Sequence, residues 1–406
     1  MKMQKRKKVS NLLEDKLLFT FMIFIFYMIG RAIPLCGIDS SSFAVTQMDA
    51  KSVLTQTISG DLNQCSILAL GITPYMLASI PVMIISSCRS EEAKQRISQI
   101  KMNRLILLLM FVLAFLQAFH RVETLEFTSD GTELLVQKCI AVVQMITGAF
   151  LIMWLARRNK LYGIGGQTVL IFANMMDGVR MNLTQFTFRE LKPVLIYSVL
   201  GMFIMLVMEN TEKRIPVQRI SIHNIYADKN YYAIKFNPIG IMPMMFAMAF
   251  FMLPQFLVSL LLRFFPNSYS LNYFQENCDL TKPLGILVYI LILFFITILF
   301  SFVFLNPVDT AEQYLKSGDS IENIHAGRAT KMYLVKNLLY ISIFSATVMS
   351  LCVGIPMILQ LTGKYNNSLV MIPSSIMMMT GLWTNLYREM ECVNNLDSYE
   401  VFIKAV

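Results

Sequence analysis

The chain has 406 residues, 55% of them hydrophobic and only 15% charged, with a net charge of +9. A soluble domain carries roughly 25% charged residues, so an ordinary water-soluble globule is excluded. The basic excess sits in short stretches between long apolar runs, which fits membrane topology and argues against a nucleic-acid-binding surface.

Taken in chain order, residues 1–15 read as a basic cytosolic N-terminus, with MKMQKRKK ahead of the apolar run LLFTFMIFIFYMIG. No small-residue cleavage site follows, so this run is expected to be a retained first helix and not a removable signal. A helix needs about 20 apolar residues to cross a bilayer. Ten segments are predicted to do so: Lys16–Ala32, Ile67–Cys88, Leu105–His120, Cys139–Ala156, Leu161–Met176, Pro193–Met208, Phe236–Leu262, Pro283–Val308, Leu338–Leu361 and Asn367–Tyr387. The fifth is the weakest, being short and Gly-rich. Residues 391–406 read as a cytosolic tail.

Counting Lys and Arg on alternate sides of ten spans puts about 25 of the 35 on the side of both termini, which predicts both ends in the cytoplasm. None of the ten segments carries an ionisable residue near its centre, as an ion-coupled transporter would be expected to. A passive conduit is therefore the expectation. The seven cysteines (Cys36, Cys65, Cys88, Cys139, Cys278, Cys352 and Cys392) lie mostly in or beside apolar runs and read as small packing residues. The three histidines, His120, His223 and His325, are far apart in sequence. No Gly-rich phosphate loop accompanies them. Neither a metal centre, a cofactor nor an enzymatic activity is expected.

Four stretches then resemble one family in order and spacing. The first is Gly71-Ile72-Thr73-Pro74-Tyr75-Met76-Leu77-Ala78-Ser79-Ile80, preceded by ISGDLNQCS. Next comes Met153-Trp154-Leu155 with Gly163-Ile164-Gly165-Gly166. The third runs from Glu212-Lys213-Arg214-Ile215-Pro216-Val217-Gln218 to Lys235-Phe236-Asn237-Pro238-Ile239-Gly240-Ile241-Met242-Pro243, with Phe246-Ala247 and Pro254. The fourth comprises Asn306-Pro307, Ala311-Glu312, Leu315-Lys316-Ser317-Gly318, Gly327, Thr330, Tyr333 and Leu334. Together they resemble the SecY family, the central subunit of the Sec protein translocase.

The resemblance implies an all-α integral membrane protein, ten transmembrane helices in two pseudo-symmetric five-helix halves around a central pore. The halves would span 16–187 and 188–390, with cytosolic loops at 212–235 and 307–336. It also implies a protein-conducting channel that passes unfolded, signal-bearing polypeptides across the plasma membrane. By resemblance the pore ring is Ile72, Met76, Ile171, Met245 and Met378, with Gln167 at a sixth place. A narrow apolar ring blocks ions by dewetting, and flexible methionines could mould around a passing chain. Without the motifs, such residues would read as helix packing.

The plug would lie within about 54–66, on Ile58, Ser59, Gly60, Asp61, Leu62, Asn63 and Gln64, whose polar groups are costly facing lipid. Leu77, Gln117 and Pro254 mark the lateral gate, through which an apolar signal could reach lipid at roughly 25 cal/mol per Å² buried. A lone Gln such as Gln117 can equally bond a neighbouring helix. Lys213, Arg214, Arg219, His325, Arg328 and Lys331 would dock a motor, although topology alone also asks for basic loops. Implied partners are a SecA-type ATPase motor, a small SecE-like subunit or accessory Sec proteins, a secreted preprotein and membrane lipids.

The chain departs from the family pattern at Asn323-Ile324-His325-Ala326-Gly327, where Gly-Ile-Arg-Pro-Gly is usual. A residue is also missing beside Gly166, and the loop between the sixth and seventh helices is short. These departures resemble the accessory SecY branch of certain Gram-positive bacteria, which implies a dedicated second motor and large Ser-rich glycoproteins as cargo. A housekeeping channel, a secondary transporter or lipid-linked sugar flippase, and a non-conducting receptor or scaffold remain as alternatives at this point.

Overall fold

Gly and Pro mark several of the helix ends of this chain, although Pro81, Pro193, Pro254, Pro356 and Pro373 sit inside helices. The computed structural model describes residues 2–38, 65–87, 98–123, 125, 127, 132–186, 188–218, 230–278, 280–361 and 367–394. Its helices are α1 (Lys2–Ala32), α2 (Thr73–Ser87), α3 (Gln99–Glu123), α4 (Thr132–Tyr162), α5 (Gln167–Gln185), α6 (Phe188–Asn210), α7 (Met242–Phe264), α8 (Tyr269–Asn277), α9 (Pro283–Leu305), α10 (Pro307–Ser317), α11 (Arg328–Leu361) and α12 (Asn367–Asn394). Among the described residues, six helices are long and apolar enough to cross a membrane.

α9 shows how they face their surroundings. Ile286, Tyr289, Leu293, Ile296 and Phe300 are buried, while Leu284, Leu287, Leu291, Phe295 and Leu299 are exposed. Both sets repeat at helical spacing, yet both are apolar. Such a helix buries one stripe in protein and offers the other to hydrocarbon. Its start is set by Pro283 at the first helical position, where the missing N–H costs nothing. It ends at Asn306, whose φ of 37° is left-handed, and Pro307 opens α10 immediately. Gly318, with φ 76°, closes α10.

Helix bounds differ from the predicted spans in a consistent way. α4 and α11 run well beyond Cys139–Ala156 and Leu338–Leu361. Hydropathy registers only the part of a helix that lipid surrounds, whereas backbone hydrogen bonding carries the helix on into water. The opposite happens at α2, α5 and α7, which start later than Ile67, Leu161 and Phe236. In each case a glycine with positive φ (Gly71, Gly165 with Gly166, and Gly240) holds a non-helical turn in front of the helix.

The chain divides into two compact units. One contains Met1–Tyr75, Met110–Thr187 and Met378–Val406; the other contains Met76–Leu109 and Phe188–Met377. The second unit also holds a small sheet absent from the sequence expectation, formed by β1 (Glu212–Gln218), β2 (Tyr231–Lys235) and β3 (Ser320–Ile321) in the order β2-β1-β3. β1 and β2 are antiparallel, with Glu212 opposite Lys235 and Pro216 opposite Tyr231. β3 pairs antiparallel with the far end of β1, Val217 opposite Ile321. Ile215 and Val217 are buried between exposed neighbours, the alternation a half-buried strand requires.

Candidate functional site: apolar positions and a basic platform

In the first unit the backbone ahead of α2 is irregular, and several of its N–H groups are paired within the protein. Leu35 N–H donates to Cys65 O (2.8 Å), Ile67 N–H to Ile33 O (3.1 Å), Ala69 N–H to Ser66 O (3.1 Å) and Gly71 N–H to Leu68 O (2.9 Å). Non-helical backbone at membrane depth is tolerated where protein covers it in this way. α4 approaches closely: a Cβ on Gly148 would lie 2.1 Å from Ile67 O. The turn delivers Ile72 fully buried.

The turn before α5 is held by side chains. Asn159 is completely buried, and its Nδ2 donates to Ile164 O and Gly166 O, both at 2.9 Å. Ile164 N–H donates to Thr20 Oγ1 of α1 (2.9 Å), which lies 3.0 Å from Asn159 Oδ1. Gly165 N–H donates to Glu389 Oε2 of α12 (3.0 Å). No side chain fits at Gly163, where a Cβ would meet Asn159 Oδ1 at 2.1 Å. The clamp fixes the start of α5, which carries half-buried Gln167 and, one turn on, buried Ile171. Met378 of α12 is also fully buried. At the end of α1, Arg31 Nη1 pairs with Asp177 Oδ2 of α5 at 2.5 Å.

In the second unit Asn237 plays the corresponding part. It is 2% exposed; its Nδ2 donates to Gly240 O (3.0 Å), and its backbone N–H to Met208 O of α6 (3.1 Å). Phe236 N–H donates to Thr211 O (3.0 Å). This fixes the turn from β2 into α7, on which Met245 is buried; Met76 of α2 is buried as well. Of the expected ring positions, Ile72, Gln167, Ile171 and Met378 thus belong to one unit, and Met76 and Met245 to the other. Of the gate positions, Leu77 is buried, Gln117 half-buried and Pro254, inside α7, exposed. The expected plug positions Ile58–Gln64 and the expected docking residue Arg219 lie outside the described residues.

The other residues expected to dock a motor share the second unit. Ile215, Ile234, Ala311, Ile321, Leu334, Leu338 and Ile341 form an apolar cluster that fastens the sheet to α10 and α11. Lys213 Nζ donates to Asn337 Oδ1 of α11 (2.7 Å). Arg214 pairs with Glu212 (2.7 Å) and lies over the Tyr231 ring, 4.7 Å from its centroid. The Glu212 carboxylate holds the Arg214 guanidinium even further above the range in which it could lose its proton. Burial pushes the Tyr232 phenol up. His325 is exposed in the turn before α11, its carbonyl accepting from Thr330 Oγ1 (2.9 Å). Arg328 and Lys331 follow on the first turns of α11, where a groove of about 530 Å³ has Ala311, Leu315 and Met332 on its walls and Glu312, Arg328 and Lys331 among its lining.

Nothing in the sequence singles out Asn159, one polar residue beside Arg157, Arg158 and Lys160, and Asn237 stands out only within the family motif, because an asparagine that pins a turn looks in sequence like one that faces water. The strands leave a signal in the alternation of Ile215 and Val217 with their neighbours.

Known proteins resemble this arrangement over nearly its full length. The accessory Sec system protein translocase subunit SecY2 of Leuconostoc gelidum subsp. gasicomitatum is 27% identical, covering 97% of this chain and 98% of its own. Its counterpart in Streptococcus agalactiae serotype Ia is 26% identical, covering 96% of each. Among solved structures, one described as a protein conducting channel superposes with a TM-score of 0.66 at 14% identity, covering 97% of this chain and 95% of that one. Sec61 in the canine ribosome-channel complex from the endoplasmic reticulum gives 0.62, also at 14% identity and with the same coverage. These likenesses establish the fold, and with six membrane-length apolar helices the chain is a multi-pass membrane protein. The SecY family model matches residues 66–387, so the chain belongs to the SecY family.

Proposed function

We propose that this chain is the central, protein-conducting subunit of a Sec-type translocase, of the accessory branch. Family membership carries the reading, and the burial of Ile72, Met76, Ile171, Met245 and Met378 supports it, since all five ring positions are apolar and closed to water. The relatives named SecY2 and the Asn323–Gly327 departure favour the accessory branch over a housekeeping channel. In this reading the protein sits in the plasma membrane with both termini in the cytoplasm, as two five-helix halves at 16–187 and 188–390. Ile58–Gln64 form the plug, and Leu77, Gln117 and Pro254 mark the gate. The platform of Lys213, Arg214, Arg219, His325, Arg328 and Lys331 receives a dedicated SecA-type motor, beside a SecE-like subunit or accessory Sec proteins. The cargo is a secreted preprotein, a large Ser-rich glycoprotein in the accessory case.

The channel itself stabilises an opening for the extended chain and expends no chemical energy. Work comes from the motor: Asp177, the acid near the middle of α5, is paired with Arg31 and is not a free site for a coupling ion. Proteoliposomes holding the chain, its small subunits and the motor should protect a signal-bearing substrate from added protease only when ATP is present. Motor-independent uptake of a small solute, without protein translocation, would instead identify a secondary transporter.

A further inference from the structure

Between α7 and α9 the chain forms a short helix, α8, that buries none of its side chains. Phe265, Tyr269, Tyr273 and Phe274 are 62%, 81%, 54% and 37% exposed. Tyr269 and Tyr273, one turn apart, stack with ring centroids 6.2 Å apart. Asn272 and Gln275 occupy the other arc of the helix, while Glu276, three residues after Tyr273, stands on the tyrosine face. In water such a cluster would be an unpaid liability.

The segment is nonetheless held in place. Asn272 Nδ2 donates to Pro266 O (3.1 Å), Ser268 N–H to Phe265 O (3.3 Å), and Gln255 of α7 donates to Cys278 O. Cys278 and Leu280 behind it are buried. Exposure of α8 is thus built into the fold. The helices before and after it, α7 and α9, also expose apolar residues, Leu257 and Leu261 on the one and Leu284, Leu287 and Leu291 on the other. Exposed Lys282 stands at the foot of α9, where it meets lipid phosphate if the aromatics meet acyl chains.

We propose that α8 is an interfacial anchor whose occupant is the bilayer itself: Tyr269, Tyr273 and Phe274 sit among the upper acyl chains, with the phenol hydroxyls and Lys282 at the headgroups. Amphipathic rings are favoured at that depth. The Gln255–Cys278 bond then ties this anchor to α7 one residue from Pro254, so the end of α7 is referenced to the membrane surface. The inference rests on α7 and α9 spanning the bilayer.

The test uses indole fluorescence in the full chain reconstituted in phosphatidylcholine vesicles. Trp154→Phe and Trp383→Phe remove the two native indoles, and Tyr273→Trp or, separately, Leu291→Trp supplies one. Lipid brominated near the top of the acyl chain should quench Tyr273→Trp more strongly than lipid brominated near its end, and Leu291→Trp should show the opposite order. Quenching of Tyr273→Trp by aqueous iodide and not by bromolipid would overturn the proposal. So would quenching by neither, which would mean that protein covers the helix. If bromolipid also fails to quench Leu291→Trp, the spanning of α9 falls, and the proposal with it.

Discussion

Asn159 and Gly148 act through backbone, one by supplying hydrogen bonds and the other by leaving room. Asn159→Leu would leave two buried carbonyls, Ile164 O and Gly166 O, without their donor. At about 1–3 kcal/mol for each orphaned group, thermal unfolding in detergent should show a loss of several kcal/mol. Gly148→Ala forces a methyl against the Ile67 carbonyl, a backbone atom that cannot swing aside. Overpacking of this kind costs about 1–3 kcal/mol. Gly201→Ala in α6 is the contrast, because its nearest neighbour, Met377 Sδ, would be 3.8 Å away. Helix propensity there favours Ala by about 0.8–1.0 kcal/mol, so the same unfolding assay should show no loss or a small gain. Equal effects from the two glycine substitutions would contradict the packing described.

At the scale of elements, the sheet and the first turns of α11 make one platform, because Ile215, Ile234 and Leu338 share an apolar cluster while Lys213 reaches Asn337. His325 stands exposed at its edge, and among the described residues its hydrogen bond is through its backbone carbonyl, from Thr330, so its side chain can change without disturbing the fold. His325→Arg should therefore leave thermal stability within about 0.5 kcal/mol while altering which SecA-type motor binds and drives export. An unchanged motor preference would show that selectivity resides elsewhere on the platform. What was legible in sequence follows from the same physics. Apolar runs and Gly-Pro breaks located the helices, since lipid and backbone sterics act on residue type directly. The bonds that clamp the turns at 163–166 and 236–241 are not legible in sequence, since they depend on partners such as Thr20, Glu389 and Met208 that are remote along the chain, and the sheet shows only in the alternation of Ile215 and Val217. Nor could periodicity place α8, whose nine residues are too few for a span.

For the whole molecule, the family fold and the six membrane-length helices provide a scaffold in which irregular backbone is allowed only where protein lines it. Several candidate ring residues sit at or after those irregular stretches: Ile72 ends the turn at 65–72, Ile171 follows the glycine turn and Met245 follows the Asn237 turn. The claim that matters most is that they meet the moving polypeptide. Single cysteines at Ile72, Met76, Ile171 and Met245, in a cysteine-free chain, can be tested against a stalled export intermediate bearing a cysteine in its translocating segment. All four should crosslink to the cargo, while a cysteine at lipid-facing Leu291 should not. Crosslinking at Leu291 with none at the four buried positions would contradict a pore at this place in the fold.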